Sequence, residues 1–159
     1  MAQEQGAAAY GIRTGEREDL AEVAAIEAAV FPEPLALPEL ERLWTGPGTR
    51  YLVATGGGAV CAYFGFVVLG PVAHVISNAT RPEHRRRGLA GRLLREGEAV
   101  AAAAGARWFL GEVRVSNRAQ LALLAALGYR QVGWCPRFFG NGEDAHIVMR
   151  FFHEAAPVR

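Results

Sequence analysis

Apolar residues along this chain keep two rhythms, and the switches between them mark out the elements. Tyr10 to Arg13 forms a short extended run. In REDLAEVAAIEAAVF, Leu20, Val23, Ile26 and Val30 recur at helical spacing behind a candidate cap, Asp19, which predicts a helix closing near Phe31. The prolines of FPEPLALP break that helix, and ELERLW resumes as a short second one. RYLVAT and AVCAYFGFVVL then read as strands around a turn at Gly56-Gly57-Gly58, and AHVISNAT as a third strand. From Leu89 the period changes again: Leu89, Leu93, Leu94, Val100, Ala101 and Ala104 share one face until Gly105. RWFLGEVRV is the next strand. Ser116 and Asn117 are good caps for RAQLALLAALG, which Gly128 closes before the strands YRQVGW and AHIVMRFF. The predicted order is β-α-α-β-β-β-α-β-α-β-β. Such an order implies an α/β (α+β) fold with a mixed, mostly antiparallel sheet flanked by helices, not a Rossmann alternation.

Length and composition narrow the class. A chain of 159 residues suits one domain, expected over 10–153, with 1–9 as a disordered leader and 154–159 as a tail. Hydrophobic residues make up 51% and charged residues 21%, and no apolar run approaches the ~20 residues of a membrane span. The first residues lack the basic start and apolar stretch of a secretory signal, so a cytoplasmic location is expected. Cys61 and Cys135 suggest no disulfide framework, and the histidines show no ligand-like pairing, so no metal site is expected. A net charge of +1 argues against a general nucleic-acid binder.

Charge is nonetheless concentrated. Between Arg81 and Arg95 there are six arginines and one glutamate, with no interleaved aromatic residue for stacking on bases. Within this stretch, Arg85-Arg86-Arg87-Gly88-Leu89-Ala90-Gly91 falls between a strand and the first turn of a helix. Backbone N–H groups at a helix start lack intrahelical partners and carry the positive end of the helix dipole, so small residues there open a seat for a diphosphate. The plainer alternative is a tight turn with solvated arginines.

The turn, spelled Arg-x-x-Gly-x-Ala, resembles the acyl-CoA-binding motif of the GNAT acetyltransferase superfamily. GEVRVSNRAQLALLAALGYRQVG, GEDAHIVM and FPEP further resemble the RimI-type ribosomal-protein alanine N-acetyltransferases, so the likeness runs over roughly 11–152. The resemblance implies an N-acetyltransferase that uses acetyl-CoA and no metal, and an amine acceptor such as a protein N-terminus. It implies that the pantetheine arm follows Asn78, Ala79 and Thr80, that the pyrophosphate sits on the amides of 86–91 beside Arg85, and that Asn117 lies near the cofactor. Asn117 is equally credible as a helix cap. Glu112, in GEVRV, takes the position of the general base. Phe31, Leu35, Phe138 and Phe139 take positions that line the acceptor groove.

This sequence departs from the pattern in three places. Leu124 stands where the family usually has a tyrosine that protonates the leaving thiolate, with Tyr129 or water as possible substitutes. Phe138-Phe139 replaces a tyrosine pair, and Leu35 a tryptophan, which makes the groove more apolar. Two other readings therefore stay open: acetylation of a small-molecule amine, and a non-catalytic acyl-CoA-binding domain.

Overall fold

The computed structural model describes residues 9–152. The expected leader 1–9, apart from Ala9, and the expected tail 154–159 lie outside the described residues. The elements are β1 (Gly11–Thr14), α1 (Leu20–Val30), α2 (Leu37–Trp44), β2 (Thr49–Gly56), β3 (Ala59–Leu69), β4 (Val72–Thr80), α3 (Leu89–Ala103), β5 (Trp108–Arg114), α4 (Arg118–Ala126), β6 (Arg130–Cys135) and β7 (Ala145–Phe151). They follow the order that the hydrophobic rhythm predicts. All strands join one seven-stranded sheet in the order β1-β2-β3-β4-β5-β7-β6. Every pairing is antiparallel except that of β4 with β5.

Alternation along the strands divides the core in two. On one face Leu52, Ala54, Ala62, Phe64, Phe66, Phe109 and Val113 pack against Leu89, Leu93 and Leu94 of α3 and Leu124 of α4. On the other face Tyr51, Val53 and Tyr63 pack against Leu20, Val23 and Ile26 of α1 and Leu40 of α2. Phe64, Phe66 and Phe109 hold one another at ring-centroid distances of 5.1 to 5.4 Å and are each fully buried. No helix among the described residues is long and apolar enough to cross a membrane.

Two capping expectations fall differently. Asp19, expected to cap α1, lies in a 3-10 turn before it and makes no side-chain bond to the helix. Its carboxylate instead accepts from the Glu16 amide and the Arg13 guanidinium, each at 2.7 Å, because the intervening turn rotates it toward β1. Asn117 does cap α4, accepting from the Gln120 amide at 3.2 Å, whereas the Ser116 hydroxyl turns away and donates to Glu143 at 2.5 Å.

The sheet depends on two irregularities in β4. Its parallel pairing with β5 lasts only from Val72 to His74, opposite Trp108 to Leu110, after which the strands separate. At that point Gly111 faces Val75 so closely that a Cβ would lie 3.2 Å from the valine Cβ. In addition the β3–β4 register jumps between Gly65–Ser77 and Phe66–Val75, which leaves Ile76 as a bulge. One extra residue reverses the alternation, so Ala73 and Val75 face the α3 side whereas Ser77 and Ala79 face the α1 side.

The aromatic cluster leaves no space above Gly97 of α3. A Cβ there would sit 2.4 Å from Phe64 Cε1, inside a ring already wedged by Phe66 and Phe109. Alanine gains about 1 kcal/mol in helix propensity, but overpacking costs typically 1–3 kcal/mol, so overpacking wins. Gly97→Ala is expected to lower the urea midpoint with an unchanged m-value, measured by equilibrium unfolding.

Candidate active site

Where β4 and β5 part, a cavity of about 430 Å³ passes through the sheet. On the α1 side it is lined by Glu27, Phe31, Glu33, Leu35, His74, Glu112, Arg114, Phe138 and Phe139, and on the α3 side by Asn78, Leu94, Asn117, Gln120, Leu124 and Tyr129. The splay brings residues from β4, β5, α4 and two loops to one opening.

Glu112 lies on the α1 face because its neighbours Gly111 and Val113 are buried on the other. Both its oxygens meet His74 Nε2, at 3.0 and 2.9 Å, and its side chain is 18% exposed. His74 is the last β4 residue paired before the splay, so the two strands deliver the pair at the mouth of the gap. The hydrogen bond to Glu112 raises the His74 pKa above the ordinary 6.5, with desolvation opposing it. Sequence reading missed His74, since residues 38 positions apart show no spacing signal.

Arg114, two residues on and therefore on the same face, fastens both loops of this chamber. Its guanidinium donates to Glu33 at 3.0 Å in the α1–α2 loop and to Asn141 and Glu143 at 3.1 and 3.2 Å in the β6–β7 loop, and it stacks 4.0 Å over the Phe139 ring. The Ser116 hydroxyl, followed by Arg114, holds the Glu143 carboxyl below its ordinary range. Phe139 meets Phe138 edge-on at 5.0 Å, and Phe138 is largely exposed at the rim. Leu35 is held by its amide, which donates to the Glu27 carboxylate at 3.0 Å. Glu27 is buried and also accepts from the Tyr63 and Ser77 hydroxyls.

On the opposite side, β4 offers the unpaired edge of Asn78, Ala79 and Thr80 to the gap and then runs into the arginine turn. Arg86 and Gly88 have φ of 61° and 72°, on either side of an Arg87 that is not left-handed. Alternating hands turn successive amides to one concave side, a nest suited to an anion. The first backbone bond into α3 is donated by Arg92 to the Gly88 carbonyl at 3.1 Å, so the amides ahead of it are free of helical partners. Residues 85 to 88 are exposed, while Leu89 and Gly91 are buried. Leu124 is 4% exposed and lines the cavity without a proton to give. Tyr129 also lines it, its phenol pushed up by burial and by nearby Glu98. Among the described residues no three acidic, histidine or cysteine side chains gather as metal ligands.

A sheet forced open between two strands, an amide nest at a helix start on one side and a carboxylate–imidazole pair on the other make a two-sided site for group transfer. The model of the acetyltransferase (GNAT) family matches residues 19–129, and the chain belongs to that family of N-acetyltransferases. The N-alpha-acetyltransferase RimI of Mycobacterium tuberculosis is 32% identical over 141 residues, covering 84% of this chain and 87% of that protein. Among solved structures, the ribosomal-protein-S18-alanine N-acetyltransferase from Escherichia coli superposes with a TM-score of 0.84 at 24% identity, over 94% of this chain and 97% of its own. Arabidopsis thaliana NAA60 in complex with acetyl-CoA gives 0.82 at 16% identity, over 90% and 98%.

The His74–Glu112 bond sets a pH dependence of stability. A histidine pKa raised by folding stabilises the fold fully below the unfolded value near 6.5 and ceases to do so as pH rises through the folded value. His74→Gln is therefore expected to destabilise the protein more at pH 5 than at pH 9, read from urea midpoints of both proteins at each pH.

Proposed function

We propose that the protein transfers the acetyl group of acetyl-CoA to the α-amine of a protein or peptide N-terminus. The observation that carries this reading is the cavity that crosses the sheet at the β4–β5 splay, with Glu112 and His74 on its α1 side. The pyrophosphate of acetyl-CoA lies on the amides of Arg86, Arg87, Gly88, Leu89, Ala90 and Gly91, within the field of the Arg85 side chain and the α3 dipole. The pantetheine arm pairs with the edge of Asn78, Ala79 and Thr80 that β5 leaves unpaired, and Asn117, which lines the same cavity, lies near it. Strand amides beside the Ile76 bulge polarise the thioester carbonyl.

The acceptor enters from the α1 side between the apolar walls Phe31, Leu35, Phe138 and Phe139. An α-amine has pKa ~8, so it must lose a proton around the time of attack. Glu112 receives it as general base, in a pair with His74 that shares the proton. The amine nitrogen attacks the carbonyl carbon directly, without a covalent enzyme intermediate. The likeness to the RimI N-alpha-acetyltransferase of M. tuberculosis supports an α-amine acceptor. The NAA60 complex with acetyl-CoA supports the donor, since its fold is shared. A cytoplasmic site of action is part of the proposal.

Glu112→Gln preserves shape and removes the base. Peptide-dependent release of CoA is expected to fall about 10²-fold or more, a typical contribution of general base catalysis. Turnover of simple amines in preference to N-terminal peptides would replace the acceptor, and acetyl-CoA binding without turnover of either would make the domain a binder.

The pH profile carries a second signature. A proton on the His74–Glu112 pair blocks it as an acceptor, and His74 titrates above 6.5, so kcat/KM should rise with pH through that raised value. In His74→Gln this enzyme limb is expected to move to lower pH, while the limb set by the acceptor amine stays, as followed with two peptides of different amine pKa.

A further inference from the structure

A thioester leaves more readily when something hydrogen-bonds its sulfur, and position 124, from which a tyrosine would reach that atom, holds a buried leucine. Helical side chains lean toward the amino terminus of their helix, so a long side chain at 124 would end over the preceding turn. The residue one turn back on the same face is Gln120. Its Nε2 donates to Asn78 Oδ1 at 3.2 Å, and Gln120, Asn78 and Leu124 all line the cavity. The bond reaches from α4 across to β4, the strand assigned to the pantetheine arm. An amide nitrogen carries two protons, and the Gln120 side chain makes no other hydrogen bond among the described residues.

We propose that Gln120 is a catalytic residue that donates its second N–H to the departing sulfur, with Asn78 fixing the orientation of the carboxamide. This rests on acetyl-CoA being the donor. The amine nitrogen bonds to the carbonyl carbon and its proton passes to the Glu112–His74 pair. The C–S bond breaks with its electrons on sulfur, and the thiolate, held by Gln120, takes a proton from water. Gln120 gives up no proton itself. If the CoA thiol ionises like cysteine, near pH ~8.5, departure as thiolate at pH 7 is about 30-fold against, and a hydrogen bond to the anion offsets part of that.

The test titrates the thiol of CoA bound to the whole protein, through the ultraviolet absorbance of its thiolate, in wild type and in Gln120→Met, which keeps the volume and loses the N–H. Wild type is expected to lower the thiol pKa below that of free CoA, and the variant to raise it by about one unit. In parallel kcat should fall about tenfold, and adding Leu124→Tyr to Gln120→Met should recover it. A thiol that titrates alike in both proteins, or a loss of CoA affinity equal at every pH, overturns the role of Gln120 while leaving the donor in place. Failure of wild type to bind CoA overturns the donor reading and this proposal together. Gln120→Leu replaces the methionine variant if thermal denaturation shows that the latter does not fold.

Discussion

Most of the site depends on how β4 is interrupted. A strand that kept its pairing with β5 would close the sheet, and one without a bulge would carry the side chain after Ile76 to the wrong face. The parallel ladder stops after His74 and one residue later the register slips, so strand edge, imidazole and hydroxyl all reach the opening from a single strand. The cost is backbone left without sheet partners, a cost a protein tolerates where a ligand or water takes the bonds. Gly111 has a part in this, because a Cβ there would lie 3.2 Å from the Val75 Cβ at the point of divergence and the valine would have to yield.

Charge on the α1 side is arranged in neutralising groups rather than spread over the surface. Glu112 faces His74, and Glu33 and Glu143 share Arg114. Arg114 is only 12% exposed, and its flat guanidinium serves two carboxylates, an asparagine and the Phe139 ring at once, a task that a lysine point charge performs poorly. The two loops that wall the chamber are thus joined through one side chain on a rigid strand. Glu27 differs: it is buried with three hydrogen-bond donors and, among the described residues, no cation, which fixes the loop at Leu35 to the sheet through Tyr63 and Ser77.

The arginine turn relies less on its side chains than its spelling suggests. Its arginines are exposed, whereas the left-handed backbone at Arg86 and Gly88 aims the amides. Gly88 adopts this conformation without penalty. Arg86 does so at a cost of roughly 1–2 kcal/mol, the kind of strain found where backbone is shaped for a ligand.

Local periodicity determined the elements of this protein, because apolar spacing, prolines and glycines act on near neighbours. The order of strands and helices, the Asn117 cap and the amide-rich turn were therefore legible along the chain, as was the place of Glu112 in a strand. The partnership of Glu112 with His74, the bracing of two loops by Arg114, the placement of Gln120 against Asn78 and the inward turn of Ser77 were not. Those depend on strand order, on where a ladder ends and on a one-residue bulge, which bring together residues 27 to 81 positions apart. A sequence specifies which face each residue takes within its own element, but only the packed sheet decides which faces meet.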